Sequence, residues 1–270
     1  MLNSMYSAVT GLNASNQRMS VIGDNIANVN TTAYKSSELS FESLINQSVG
    51  GYSGQEIGGG VLGGNLSYDW NQGTIQKTSN PYDMAIAGTG FFMVKDAAGK
   101  TSYTRDGEFS FDASGNLKTK SGLAVQGCAY ANPPVNPPAT PLVNIVISPA
   151  QYQDVTVDSN GVYWGTDVTT LAKIGLFQAV LCKTTDPSVM AKTNNNLYTK
   201  TTTDATDPLI LGTPQMNGLG SVESSSLEAS NVDIAKEFVN MIEAQRAFSA
   251  NSKVITTSDE MLQELVSMKR

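Results

Sequence analysis

The sequence predicts an α+β protein in which long N- and C-terminal helices pair as a coiled-coil-like unit, with a discontinuous all-β domain inserted between them. Apolar residues recur every seven positions at both ends of the chain, whereas the residues between the ends alternate with a period of two. We therefore expect a terminal helical domain of residues 1–30 plus 231–270, an extended and glycine-rich connector of residues 31–67, and a β-rich domain of residues 68–230.

The last forty residues carry the longest helical pattern of the sequence. A helix of roughly 35 residues would be about 50 Å long, which is more than a small globular domain can cover. Its apolar residues follow one seven-residue line and the position beside it, as is typical of a helix that packs against another helix. The predicted interface residues of this helix are Ile234, Phe238, Met241, Phe248, Ile255, Leu262 and Val266. Three polar residues, Gln245, Ser252 and Asp259, interrupt the stripe.

The first thirty residues carry a second stripe of the same kind, with gaps at Asn16 and Gly23. Its predicted interface residues are Leu2, Met5, Val9, Leu12, Met19, Ile22 and Ile26. The two stripes predict that the terminal helices pair.

The C-terminal helix has a further apolar stripe, which a single partner cannot also bury. The residues of this stripe are Val239, Ile242, Ala250, Val254, Met261 and Leu265. We expect neighbouring copies of the same chain to cover it. The alternative is an ordinary internal helical hairpin.

The segment after the first helix predicts a connector. The helix should end near Asn28, because Asn and β-branched residues follow and favour turns and extended chain. Residues 41–45 fit a short helix or a strand, and residues 50–64 contain eight glycines in fifteen positions. We expect a hinge-like connector, the alternative being a tightly folded loop in which chains approach closely. Its predicted connector residues are Gly58, Gly59, Gly60, Gly63 and Gly64.

From about residue 68 the sequence predicts short strands joined by turns rich in Asp, Asn and Gly. The strand candidates are residues 74–78, 84–86, 90–95, 101–105, 108–111, 117–119, 123–125, 143–147, 155–157, 162–164, 170–183 and 194–200. Residues 131–141 hold five prolines and predict an extended loop, because proline cannot donate to a strand ladder.

Composition excludes several function classes. A net charge of −7 and a pI near 4.6 argue against nucleic acid as a partner, since no basic cluster could replace its counterions. The chain has no histidine, which rules out Ser-His-Asp and Cys-His nucleophiles and His-ligated zinc. We expect no enzyme activity, no cofactor and no metal site.

The N-terminal residues lack a basic region followed by an apolar core, so we expect no Sec-type signal peptide and, if the protein is exported, another route. No run of eighteen apolar residues predicts a membrane span. Cys128 and Cys182 have no metal-like spacing, and we expect buried free thiols, with a disulfide as the alternative.

Several motifs in a fixed order resemble the rod and hook class of bacterial flagellar axial proteins. The motifs are SAVTGLN at 7–13, IGDNIANVN at 22–30 with YK at 34–35, GTGFF at 88–92, YTRDG at 103–107, NLY at 196–198, LEASNVD at 227–233 and NMIEAQR at 240–246. The resemblance covers nearly the whole chain.

This resemblance implies that the paired terminal helices form the inner tube of a hollow helical polymer, with the β domain outside it. It also implies export by the flagellar type III apparatus, to the cell exterior for a hook or the periplasm for a rod. The implied partners are many copies of the same chain, adjoining rod, hook and junction proteins, an assembly cap and the export apparatus.

Within this family the sequence is most similar to a short hook protein, which works as a universal joint. The motif at 227–233 and the short connector after Gly50 favour the hook, because distal-rod proteins carry a longer insertion near there. The first alternative is a distal-rod subunit, a drive shaft. A further alternative of another class is a secreted carbohydrate-binding or carbohydrate-processing β domain on a helical stalk.

Overall fold

A computed structural model describes residues 2–48, 56–130, 142–201 and 209–268. The chain divides into two compact units. The first unit comprises Met1–Val29, Lys35–Asp69 and Val232–Arg270, and the second comprises Asn30–Tyr34 and Trp70–Asn231. The predicted α+β class is confirmed, since an all-β region lies between an N-terminal helix and a C-terminal helix that pair with each other.

The two helices of the first unit are α1 (Leu2–Ala27) and α2 (Ile234–Met268). The facing residues along them are Gly11 with Asn251, Arg18 with Glu243, and Asn25 with Glu237. Since the α2 numbers fall as the α1 numbers rise, the helices are antiparallel. Helix α1 ends at Ala27, next to the end predicted at Asn28.

A β-hairpin completes the first unit. Strands β1 (Ser37–Ser48) and β2 (Glu56–Tyr68) pair antiparallel, from Ser37 opposite Tyr68 to Ser48 opposite Glu56. These strands cover most of the residues that we expected to form an extended connector. The hairpin contacts α1 and belongs to the same compact unit as the helices.

The second unit consists of short strands. They are β3 (Ile75–Lys77), β4 (Met84–Ala87), β5 (Phe91–Lys95), β6 (Thr101–Thr104), β7 (Phe109–Phe111), β8 (Leu117–Thr119), β9 (Ala124–Ala129), β10 (Val143–Asn144), β11 (Tyr152–Val157), β12 (Val162–Asp167), β13 (Lys173–Ala179), β14 (Leu181–Lys183), β15 (Met190–Thr193), β16 (Leu197–Lys200), β17 (Ile210–Gly212), β18 (Ser221–Ser224) and β19 (Ser226–Glu228). A short 3₁₀ turn, Pro187–Val189, precedes β15.

The main sheet of this unit runs β11-β12-β13-β9-β5-β6-β16-β15, and neighbouring strands are antiparallel. We predicted one strand over residues 170–183, but the structure has two strands separated at Val180. The first, β13, pairs with β12 and β9, and the second, β14, pairs with β5 and β17. The break arises because one straight strand could not serve both sets of neighbours.

The core of the second unit lies under this sheet. Its fully buried large side chains include Met84, Ile86, Phe92, Phe109, Leu117, Tyr163 and Leu181. Cys128 and Cys182 are buried free thiols, as expected, and burial raises the pKa of both. The predicted proline-rich loop at 131–141 lies outside the described residues.

Gly107 is the tightest backbone approach in the second unit. The Met84 N–H donates to the Gly107 carbonyl oxygen at 3.1 Å, and a side chain at position 107 would overlap the Met84 carbonyl group. We predicted only a turn at residues 106–107, but the close contact between two chain segments is what requires glycine here.

We predict that Gly107→Ala destabilises the protein by about 2–3 kcal/mol, because the added methyl group meets backbone that cannot move aside. Urea unfolding would measure this loss. Gly58→Ala is the matched control, since Gly58, like Gly107, does not have a positive φ, and nothing lies within 4 Å of the added carbon. A loss no greater than that of the control would contradict the prediction.

Candidate assembly surface

The Asn25 side chain joins three elements of the first unit. The Ser37 N–H donates to Asn25 Oδ1 at 2.9 Å, and Asn25 Nδ2 donates to the Ser37 carbonyl oxygen at 2.9 Å. The same Nδ2 donates to Glu237 Oε1 at 3.3 Å. All three residues are buried, so one amide connects α1 to the start of β1 and to the first turn of α2.

Small and polar residues make the contact between the helices. The buried residues of α2 are Glu237, Ala244 and Ser258, which share one seven-residue line with the half-buried Asn251. On α1, Gly11 lies against the Asn251 side chain, and the buried residues are Ala8, Ala14, Ser15, Ile22 and Asn25. Short side chains let two helix backbones approach closely, at the cost of apolar area buried between them.

Most of the predicted interface residues are less buried than Glu237, Ala244 and Ser258 of α2. Ile22 is buried, whereas the half-buried members are Met5, Leu12, Met19, Ile26, Met241, Ile255 and Leu262. The exposed members are Val9, Ile234, Phe238, Phe248 and Val266. The side chain of Leu2 lies outside the described residues. We expected these large residues to form the seam between the helices, whereas the buried residues of α2 are Glu237, Ala244 and Ser258. Their role in an assembly interface stays a prediction.

Two exposed apolar patches remain on α2. The first patch consists of Ile234, Phe238, Val239 and Ile242, and the second of Val254, Met261, Leu265 and Met268, with exposed fractions from 41% for Val254 to 76% for Met268. At about 100° per residue, the mean directions of the two patches differ by roughly 120°. The two patches therefore face different directions, and most residues of the further stripe noted in the sequence lie in them.

Helix α2 also extends beyond its partner. It has 35 residues and α1 has 26, so about nine residues, or about 14 Å, of α2 have no counterpart on α1. Met261 and Leu265 of the second patch lie in this extension. Polar positions that interrupt the predicted stripes, such as Gln245 and Asp259, are exposed as well.

The glycines of β2 lie where the hairpin approaches other backbone. Side chains at Gly60 and Gly63 would overlap Thr10 and Gln17 of α1, and the Val61 N–H donates to Thr10 Oγ1 at 3.2 Å. A side chain at Gly64 would come within 2.5 Å of the Ser40 carbonyl oxygen across the hairpin. Gly58 is exposed with open space around it, and Gly59 is buried. At Gly60, Gly63 and Gly64 the structure has the close approach that we had kept as the alternative to a hinge.

A buried ion pair fixes the chain segments that enter and leave the second unit. Arg105 Nη1 lies 3.3 Å from Glu228 Oε2, and Arg105 Nη2 donates to the Gly88 carbonyl oxygen at 2.8 Å. The Gly73 N–H donates to Glu228 Oε1 at 2.9 Å, and the Ala33 N–H donates to the Glu228 carbonyl oxygen at 2.8 Å. Glu228 therefore holds residues from both ends of this unit.

A polar pocket of about 420 Å³ lies in the second unit, beside the chain segments that Arg105 and Glu228 hold together. Thr32 Oγ1 donates to Asp106 Oδ1 at 3.3 Å and to Glu108 Oε1 at 3.4 Å, and Lys120 pairs with Glu108 at 3.2 Å. Burial, and to a lesser degree the Glu108 charge, raises the pKa of Asp106. The Asn196 side chain donates to the Thr32 carbonyl oxygen at 2.8 Å. The side chains of Asp106, Glu108 and Asn196 therefore hold the chain in place at Thr32.

Three family models match the chain. Residues 5–35 match "Flagella basal body rod protein", residues 85–163 match "Flagellar hook protein FlgE/F/G D1 domain", and residues 223–268 match "Flagellar basal body rod FlgEFG protein C-terminal". The matches follow the order helix, β region, helix.

Relatives that align over almost the whole chain include flagellar basal-body rod proteins. The flagellar basal-body rod protein FlgG of Buchnera aphidicola subsp. Baizongia pistaciae is 35% identical over 98% of this chain and 99% of the relative. The FlgG of Bacillus subtilis (strain 168) is 33% identical over 100% of both chains. The flagellar hook protein FlgE of Helicobacter mustelae is 42% identical, but over 47% of this chain and 31% of the relative.

The chain belongs to the family of flagellar basal-body rod and hook proteins. It is therefore a structural subunit of the flagellum, and this membership replaces the alternative of a carbohydrate-binding domain. Within the described ranges, no helix is long and apolar enough to cross a membrane.

We predict that Asn25→Ala lowers the free energy of unfolding by about 2–4 kcal/mol, because Ser37 and Glu237 would keep buried polar groups without partners. Chemical unfolding followed by helical circular dichroism would measure the change. Asn13→Ala, at an exposed position of α1, is the matched control. Equal stabilities of the two variants would show that the Asn25 contacts contribute nothing.

Proposed function

We propose that this chain is a subunit of the flagellar rod, specifically of its distal, drive-shaft segment, rather than of the hook that the sequence motifs favoured. The observation that carries the proposal is the extent of similarity. Relatives named as basal-body rod proteins align over the full length of both chains, whereas the hook protein aligns over less than half of this chain.

The β-hairpin supports the same choice. The hook interpretation depended on a short, hinge-like connector, which would let neighbouring subunits slide. Strands of 12 and 13 residues, hydrogen-bonded to each other and anchored on α1 through Thr10, restrict bending more than a glycine linker does. A restrained segment suits a shaft that transmits torque without bending.

The two exposed patches of α2 suit contacts with neighbouring copies of this chain in a hollow helical tube. Because the patches face different directions, each copy would contact more than one neighbour through unlike surfaces, and such heterologous contacts continue as a filament instead of closing. The adjoining rod, hook and junction proteins, the assembly cap and the type III export apparatus are the further partners proposed. No catalytic activity is part of this function.

We predict that Ile242→Asp prevents incorporation into the flagellum without unfolding the subunit. Ile242 is 51% exposed, so the new carboxylate stays in water in the monomer but would be buried between copies. The content of this protein in purified basal bodies measures incorporation, and circular dichroism of the purified subunit measures folding. Ile242→Leu, which keeps the apolar surface, is the control, and normal incorporation of the Asp variant would refute this contact.

We predict that a labelled copy of the protein lies in the straight shaft within the cell envelope. The exposed turn at residues 97–99 can accept a short peptide tag, because it joins β5 to β6 and no buried side chain lies in it. Electron microscopy of antibody-labelled basal bodies locates the tag. Label along the curved segment outside the cell would instead establish the hook interpretation.

A further inference from the structure

A second pocket of the β-rich unit, of about 350 Å³, combines aromatic walls with basic groups. Trp70 and Phe91 meet edge to face, with ring centroids 5.5 Å apart, and both line the pocket. Arg105, Lys183 and Thr184 line it as well. Mostly apolar pockets of this size with a few converging polar groups are typical ligand sites.

Two buried polar atoms of this lining have no hydrogen-bond partner among the described residues. They are Arg105 Nε and Thr184 Oγ1, and each residue is only 6% exposed. The other nitrogens of Arg105 are used by Glu228 and the Gly88 carbonyl oxygen. A buried polar group without a partner destabilises the protein, and a guest that supplies an acceptor would remove this cost after a small rotation of the side chain.

The charge of the pocket favours an anionic guest. The charge of Arg105 is offset by Glu228, at 3.3 Å. Lys183 forms no ion pair within the described ranges, so its charge remains available to a guest.

We propose that this pocket binds a carboxylate carried on an apolar body. The carboxylate accepts hydrogen bonds from Thr184 Oγ1 and Arg105 Nε and pairs with Lys183, while the apolar body packs against Trp70 and Phe91. A free organic acid and an acidic side chain beside an apolar residue in a protein segment share this chemistry. The proposal goes beyond the rod function and does not depend on it.

Trp70 reports on the pocket directly. The chain has two tryptophans, so in a Trp164→Phe background the fluorescence of the full-length monomer comes from Trp70 alone. We expect 3-phenylpropionate to change this fluorescence saturably, and its neutral amide, 3-phenylpropanamide, to have no such effect. No saturable change with the acid, or equal binding of acid and amide, would overturn the proposal.

Two variants assign the binding to these groups. In that background Lys183→Gln and Thr184→Val should each weaken binding of 3-phenylpropionate by about tenfold or more, the loss expected for a contact to a charged group. Thr184→Val should also raise the melting temperature of the free protein, because it removes an unpaired buried hydroxyl without changing the shape. Lys77→Gln, at an exposed position of β3, is the control. A Thr184→Val variant with unchanged affinity would overturn the assignment.

A second titration distinguishes the two sources of the carboxylate. The probe is a peptide with blocked termini that places one glutamate beside one leucine. Tighter binding of this peptide than of 3-phenylpropionate identifies a protein segment as the guest, and weaker binding identifies a free organic acid. If neither probe binds, there is no carboxylate site, whatever the position of the protein in the flagellum.

Discussion

The first unit depends on one buried side chain, that of Asn25. An asparagine offers a donor and an acceptor on one rigid amide, so it can bond both main-chain groups of Ser37 and still reach Glu237. Loss of any partner in this buried network would lower the stability of the protein, because each polar group left without a hydrogen bond is destabilising. Glu237 Oε2 already has no partner among the described residues, and the loss of Asn25 would leave Oε1 in the same state. The polar contacts of Asn25 therefore help to specify how α1, α2 and the hairpin are arranged.

The second unit also depends on a buried polar side chain, that of Glu228, at the place where the chain enters and leaves the unit. Glu228 accepts from Gly73 and pairs with Arg105, and its main chain accepts from Ala33. Removing either charge of such a pair would leave the other buried and uncompensated, which costs more than the pair itself contributes. Discontinuous folds need such contacts, because segments distant in sequence must meet where the chain enters and leaves a unit.

The fold class and most strands follow from periodicity, because one buried face imposes a repeat on the sequence. The interface between the helices does not follow from it. We assigned that seam to large apolar residues such as Met241 and Phe248, whereas Ala244 and Ser258 occupy its centre. Small and polar residues give no hydrophobic signal, so only the motifs that contain Asn25 and Glu228 marked the contacts. We did not predict the hairpin because we took its glycines as a sign of backbone flexibility, whereas Gly60 and Gly63 lie where β2 closely approaches α1.

This distribution of residues has a physical logic for a subunit that assembles. Ala244, Ser258 and Asn251 each bury less apolar area between the helices than a large apolar residue at the same position would. The large side chains, such as Phe238, Ile242 and Met261, are kept on outward faces of α2. Surfaces of that kind are unfavourable in water and gain when a neighbour covers them. Under the proposed function, these exposed side chains would supply the driving force for association, and the length of α2 beyond α1 would provide area that α1 cannot cover.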